Sequence, residues 1–573
     1  LTMTATSCTT KVTRKNGQQQ RPWLAFTTQQ IHQQCRKRRR TRRRQHQEHH
    51  HLQRRNRVVS LWTWIFLLRP GVESSVTAFH GSSVVTKSYS HSMTHYSTLL
   101  SSTAKPIDIN DWPERFPAKE LCSKCGLCET SFVANVTDSC AFIDRAMGRI
   151  DDLEESIHGR QRLLNDMFWS SKQTADETTQ RQRADEGRFG VMIEPMTLAK
   201  GKNIENAQWT GVVTSIALSM LESNQVDAVV CIANQQDGDG EENDKNKDKS
   251  TWTSPEPIIA KSTEEVMRGR GVKPALAPSL RVLDEIRNDK SICRLLFCGV
   301  GCAVQAFRTI QDDLGLDEVF VLGTNCADNS PTPQAANKFI VDGVQVSSDD
   351  ATRVQGYEFM QDFKVHVKMD DGMSYIKRPY FSLPGTIAEQ SIAKSCRACF
   401  DYTNSLADVV VGYMGAPLAG NGAQMDKSYQ TLTIRNERGR RMVQTATDAS
   451  RLAAEDIATG SGSHEWLASA TVSSDVLVTA MIGGSAPEEG MPSWLGDVIG
   501  FGLRTIGPKG VSFARYSIDY HILRNYLFVL KQWGYERART SIPQHSLDIV
   551  DHYMKTDKSF LKLVTAIQTQ EDR

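Results

Sequence analysis

A run of thiols limits this chain more than any other feature: Cys122-Ser-Lys-Cys125-Gly-Leu-Cys128, followed by Cys140. Steps of three residues let the backbone turn back on itself, so successive side chains converge on one centre. Gly126 supplies the tolerance of positive φ that such a loop often needs. Thiolate runs of this kind hold iron–sulfur clusters. Four cysteines also suit zinc, although zinc sites more often pair two C-x2-C hairpins than place three cysteines in one loop.

A second set is spread along the chain. The stretch 294–298 (RLLFC) reads as a core strand that runs into Gly299-Val-Gly301-Cys302, a glycine turn opening a helix. The stretch 318–323 reads as another strand and ends in Thr324-Asn-Cys326. In open α/β sheets ligands gather beyond the carboxyl ends of the strands, which places Cys302 and Cys326 to approach one another. Cys396-Arg-Ala-Cys399 adds a C-x2-C, ambiguous alone among a redox pair, a zinc half-site and a cluster half-site. With Cys302 and Cys326 it completes a second four-thiolate set, and Cys298 is a possible substitute ligand. Cys231 and Cys293 read as inert core residues in apolar strands, and Cys8 and Cys35 lack company. The thirteen cysteines are an odd number and mostly clustered, which favours metal ligation in a reducing compartment over a disulfide framework.

Gln208-Trp-Thr210-Gly211-Val-Val-Thr214 reads as a turn entering a helix. Free backbone N–H groups at a helix N-terminus suit a phosphate or a flavin; an ordinary loop-to-helix junction is the plainer alternative. Residues 513–533 form an aromatic-rich amphipathic helix carrying Arg515, His521 and Arg524. It could line a flat pocket, with Tyr516, Tyr520, Tyr526 and Phe528 among the faces and Arg524 as a fork for a carboxylate. Packing on the core with its basic residues solvated is the competing reading.

The 573 residues divide by composition into a presequence (1–105), an N-terminal cysteine region (106–190), an α/β core (191–445), a polar excursion (446–490) and a helical C-terminal region (491–573). Residues 1–57, rich in Gln, Arg, Thr and His, cannot bury enough surface to fold. The apolar run 58–68 follows a basic flank, is too short to span a bilayer and matches a signal-peptide core. The Ser/Thr-rich stretch that follows has no acidic residue between Phe79 and Lys105, which is transit-peptide composition. Together these resemble the bipartite presequence of plastids bounded by extra membranes, so the expected location is the chloroplast stroma. Residues 235–250 read as a disordered acidic insertion. The net charge of +2 gives no global argument for nucleic acid. No other segment is apolar enough to span a bilayer, so at most peripheral association with thylakoids is expected.

The blocks PAKELCSKCGLCET, QWTGVVTSIA, LLFCGVGCAVQA, VLGTNCADN, YEFMQDFKV, SCRACFDYTNSLADVVVGYMG, TIRNERG and GPKGVSFARYSIDYHILRNYL are collinear over about residues 110–545. They resemble the coenzyme F420 hydrogenase/dehydrogenase beta-subunit family, and within it the chlorophyll-reducing members. The resemblance implies FAD, two 4Fe-4S clusters, reduced ferredoxin as donor and a chlorophyll or chlorophyllide as substrate. It implies a fold of α/β class, an iron–sulfur loop region followed by a flavin-binding core with a helical C-terminal region. By the same carry-over Cys122, Cys125, Cys128 and Cys140 hold one cluster and Cys302, Cys326, Cys396 and Cys399 the other, with Cys298 also having a counterpart. Thr210, Gly211 and Thr214 match the family's Gly-Gly-x-x-Thr flavin segment, with Thr in place of the first glycine. The expected reaction is reduction of the 8-vinyl group of a divinyl (proto)chlorophyllide, because plastids with extra membranes generally lack chlorophyll b. The alternative is reduction of 7-hydroxymethyl chlorophyll to chlorophyll a. Readings of another class are a non-catalytic iron–sulfur electron-transfer subunit and a zinc-stabilised interaction protein. His366, His521, Asp362 and Asp401 are proton-donor candidates without an assigned role, and a homo-oligomer is expected.

Overall fold

The computed structural model describes residues 122–143, 145–163, 185–234, 255–417, 424–484 and 489–571. The expected presequence and the acidic insertion at 235–250 lie outside them.

Eight strands make one mixed sheet: β1 (Thr197–Gly201), β2 (Ala228–Asn234), β3 (Pro255–Ala260), β4 (Arg294–Val300), β5 (Glu318–Thr324), β9 (Val409–Gly412), β10 (Gln430–Ile434) and β11 (Leu452–Ile457). Their order is β11-β1-β10-β9-β5-β4-β2-β3. The middle of the sheet, from β2 through β4 and β5 to β9, is parallel, and antiparallel strands close both sides. Strands covered on both faces read as continuous apolar runs, and β4 and β5 do. Leu296, Phe320, Val409 and Val411 pack with the helix Val212–Glu222 on one face. Leu295, Phe297, Val321 and Val410 pack with Phe307 of the helix Gly301–Arg308 on the other.

A three-stranded antiparallel sheet, β6 (Val354–Phe359), β7 (Lys364–Met369) and β8 (Tyr375–Pro379), forms a separate layer. The alternating stretch 357–367 belongs to two strands rather than one. The chain reverses at Asp362, whose carboxylate accepts from the Lys364 N–H at 3.3 Å, and Phe363 takes φ 61°. Residues 446–490, expected as an excursion, supply the edge strand β11 and the helices Glu465–Ser474 and Val476–Met481.

The C-terminal region is helical. Val511–Ser541 is interrupted at Gly534 (φ 74°, ψ 171°) and packs with Gln544–Thr556 and Lys558–Glu571. A buried cluster fastens it: Arg188 forks onto Asp519 at 2.7 and 2.9 Å, and Tyr553 donates to the same carboxylate at 2.9 Å. Among the described residues, no helix is long and apolar enough to cross a membrane.

Candidate functional site

The loop 122–128 has no regular structure and turns through Lys124 (φ 52°) and Gly126 (φ 78°). A Cβ on Gly126 would lie 2.6 Å from the Pro278 Cβ, so only glycine lets this loop dock there. Cys140 follows the short helix Val133–Asp138, its N–H donating to the Thr137 carbonyl at 3.1 Å. Burial pushes the Cys140 thiol up to about 12, and the charges of Cys125, Cys122 and Cys128 push in the same direction. Cys125 is pushed up to about 11, again mainly by burial, with Cys128 and Cys122 adding to it. The four thiols therefore share one neighbourhood.

The second set assembles at the carboxyl ends of β4 and β5. Cys302 is in the first turn of Gly301–Arg308, Cys326 follows β5, and Cys396 and Cys399 flank a single 3-10 turn, Cys396–Ala398. Asn404, fully buried, fixes the strand ends by donating through Nδ2 to the Gly299 carbonyl at 2.8 Å. Cys326 N–H donates to the Tyr402 carbonyl at 3.1 Å, and Asn525 Nδ2 donates to the carbonyls of Cys396 and Cys399 at 2.8 and 2.9 Å. Burial holds Cys302, Cys326 and Cys399 well above the usual thiol range and Cys396 at about 12. Cys302, Cys326 and Cys399 each sense the charge of others in the set, Cys396 among them. Cys298 stands apart: its neighbour is the Cys231 thiol, in the core under the sheet. Cys231 is buried as expected, whereas Cys293, expected in the core, is exposed at the start of β4.

The two sets adjoin. Ser395 N–H donates to Ser123 Oγ at 2.8 Å, joining the two cysteine loops, and the charge of Cys125 raises both Cys302 and Cys396. Each set is four sulfurs with no nitrogen among them, the donor chemistry of an iron–sulfur cluster. Among the described residues no three His, Cys, Asp or Glu side chains close on a point as one metal ion requires.

Beyond the second set lies an aromatic cleft. Cys326 lies close enough for its charge to act on Tyr413, whose ring stacks on Trp209 at 4.7 Å and 24°. The cleft is walled by Trp209, Met360, Gln361, Tyr413, Pro417 and Tyr429. Trp209 is followed directly by the Thr210-Gly211 turn. Gly211 (φ 80°) is the N-cap of Val212–Glu222, and a Cβ there would lie 2.7 Å from the Ile204 Cβ. The helix has no side-chain cap, so its first N–H groups are available to an anionic group. Thr214 is buried in its first turn; Thr210 Oγ1 accepts from the Gly201 N–H at 3.2 Å. An uncapped helix start offers backbone N–H groups to an anionic group such as a flavin phosphate.

Glu358, on β6, escaped the sequence reading. Its Oε1 accepts from Gln208 Nε2 at 3.1 Å and Trp209 Nε1 at 3.2 Å, and Tyr413 also bonds to it. Burial raises its carboxyl to about 7, the three donors notwithstanding. The earlier candidates have partners on at least one atom, although Asp401 Oδ2 and His366 Nδ1 are buried without one. His366 is buried with Nε2 on Asp362 at 2.8 Å. His521 Nδ1–H donates to the Ser517 carbonyl at 2.6 Å. Asp401 accepts from Ser405 N–H and Oγ–H at 2.8 and 2.9 Å. Arg524 forks onto Asp328 at 2.7 and 2.8 Å and is not offered to a ligand carboxylate. Tyr516 and Tyr526 are core residues rather than pocket walls, while Tyr520 and Phe528 are partly buried.

Residues 196–284 match the coenzyme F420 hydrogenase/dehydrogenase beta subunit N-terminal family, and residues 292–459 match its C-terminal counterpart. Over 455 residues the chain is 42% identical to the chloroplastic 7-hydroxymethyl chlorophyll a reductase of Oryza sativa subsp. japonica, covering 78% of this chain and 87% of that one. An uncharacterized protein of Nostoc is 36% identical over 439 residues, 77% of this chain and 95% of the relative. The coenzyme F420 hydrogenase subunit beta of Methanococcus voltae is 23% identical over 261 residues, 44% of this chain and 80% of that one.

Proposed function

Because the chain belongs to the coenzyme F420 hydrogenase/dehydrogenase beta-subunit family, we propose that it is an iron–sulfur flavoprotein that reduces a chlorophyll-type tetrapyrrole in the plastid, with reduced ferredoxin as donor. One observation carries this reading: two adjoining four-thiol sets, the second with Cys326 near Tyr413, whose ring stacks on Trp209 beside the Thr210-Gly211 turn. Clusters pass single electrons, and a flavin collects two of them for delivery to carbon.

This chain's residues divide the remaining work. Cys122, Cys125, Cys128 and Cys140 hold one cluster; Cys302, Cys326, Cys396 and Cys399 hold the other. The Ser395–Ser123 bond keeps the two loops in register. Thr210, Gly211 and Thr214 present the helix start to FAD phosphates, and Trp209 and Tyr413 exclude water from the cleft. Glu358, raised to about 7, can hold a proton near neutral pH and would give it to the reduced pigment.

Two pigment groups remain in competition. The presequence composition favours the 8-vinyl group, since the implied plastids generally lack chlorophyll b. The name of the rice relative favours the 7-hydroxymethyl group. Reconstituted protein is incubated anaerobically with reduced ferredoxin and each pigment, and the products are separated by chromatography. Conversion of the divinyl pigment supports the first, and conversion of the 7-hydroxymethyl pigment alone supports the second. Conversion of neither, with a flavin that ferredoxin cannot reduce, refutes the class. Glu358→Gln is expected to lower turnover by about 10²–10⁴-fold while leaving ferredoxin-dependent flavin reduction intact.

A further inference from the structure

The helix Ser493–Ile506 carries its bulk on the outside. Gly496 and Gly500, four residues apart, face the protein. A Cβ on Gly496 would come within 2.7 Å of Ser382 Oγ and 2.8 Å of the Pro379 Cβ, and one on Gly500 within 3.4 Å of the Asp362 carbonyl oxygen. The large apolar side chains point the other way: Trp494, Val498 and Phe501 are 68, 55 and 72% exposed. Their spacing of four and three residues puts them in one stripe. Met491 and Ile506, also exposed, extend it at the two ends. A contiguous apolar stripe of this kind marks an interaction surface.

The rim is basic. Lys364 and Arg504 stand close enough to Lys377 for their charges to act on it, and Lys509 is exposed just past the helix. Carboxylates temper this: Asp497 pairs with Lys364 at 2.7 Å, Asp362 also faces Lys377, and Glu489 is exposed two residues before Met491. The stripe is close to the candidate site, because Gly500 sits on Asp362 and Phe363, and the preceding Gln361 walls the aromatic cleft.

We propose that this stripe docks the protein on the surface of a lipid bilayer. Trp494, Val498 and Phe501 enter the headgroup–acyl boundary, while Lys364, Lys377, Arg504 and Lys509 meet anionic headgroups. The excess of cations in the rim complements anionic headgroups and gives a second copy of the chain, with the same excess, the poorer match. Docking deepens the pigment-reductase reading and rests on it for its purpose, because the flat apolar macrocycle of a chlorophyll-type substrate partitions into a bilayer; the binding stands by itself.

The test is flotation of the full chain with vesicles of phosphatidylcholine, with and without phosphatidylglycerol. The protein is expected to float with the anionic vesicles and to be released by high salt. Trp494→Ser with Phe501→Ser is expected to reduce the bound fraction at least about tenfold, with circular dichroism and reduction of detergent-dispersed pigment unchanged. Trp494→Phe should keep binding but lose the quenching of tryptophan emission by brominated lipid. A chain that never floats, a double variant that floats equally well, or one that instead converts a dimer into a monomer on sedimentation overturns the proposal. Vesicle binding without any pigment reduction would support docking and count against the proposed function alone.

Discussion

Replacing Gly301 by Ala probes how closely the scaffold sets the second thiol group. A Cβ at this position would lie 2.7 Å from the Asp401 main-chain oxygen and 2.7 Å from Asp401 Oδ2. Ordinary contact begins near 3.4 Å, so one wall must recede by about 0.7 Å, several times the roughly 0.2 Å tolerance of a metal–ligand distance. The carboxylate cannot swing away freely, because Ser405 holds Oδ1 through two hydrogen bonds of 2.8 and 2.9 Å. Both walls are attached to ligands: Gly301 precedes Cys302, and Asp401 follows Cys399 by two residues. The overpacking should cost about 1–3 kcal/mol, too little to unfold a domain of this size. Anaerobically prepared Gly301→Ala is therefore expected to stay folded, to lose the second cluster and to retain about half the iron. Gly502→Ala, whose Cβ would meet open space, should keep all of it. A Gly301→Ala protein with the full iron content and an unchanged low-temperature spectrum would refute the reasoning.

Three further outcomes are expected. Burial, reinforced by the Arg435 charge, holds His158 at about 4, and its ring is engaged on both sides, by the Ser405 carbonyl at 2.8 Å and Asn436 Nδ2 at 3.1 Å. Unfolded chains take up a proton near 6.5 that the native state refuses down to about 4, so this residue lowers stability as pH falls through that window, by about 3 kcal/mol in all. Denaturant titrations at pH 7 and 4.5 should show a smaller acid loss in His158→Gln. Arg524→Ala leaves Asp328 without its forked partner and should cost about 3–5 kcal/mol, seen as a lower melting midpoint; a normal midpoint with a weakened KM for carboxylate-bearing pigment alone would restore Arg524 as a substrate fork. Gly126→Ala must displace the loop from Pro278, so the first cluster should be lost while the FAD absorbance stays.

The parts of the site that could be read from the sequence are those fixed by local spacing. The loop 122–128 gathers its thiols within one turn of chain. The strand ends at Cys302 and Cys326 are announced by apolar runs that stop at glycine or Thr-Asn. Long-range partners were not legible. Nothing near Glu358 says that Gln208 and Trp209, some 150 residues earlier, will donate to it. Nor does the sequence around Arg524 reveal Asp328, 196 residues away. The reversal between β6 and β7 was hidden because hydrophobic alternation continues through Met360-Gln-Asp-Phe363, with no glycine or proline to mark the turn. Edge strand β11 was hidden by polarity, since an antiparallel edge need bury only one face. The outward direction of the bulky stripe of Ser493–Ile506 was not legible either, because hydropathy records the period of a helix and not which side packs on the protein.

The account stands most directly on the metal content of the anaerobically purified, mature chain, measured for iron and zinc together against protein. Two adjoining four-thiol sets predict about eight iron atoms per chain and no stoichiometric zinc. Four iron atoms per chain, or zinc in whole-number ratio, would contradict it.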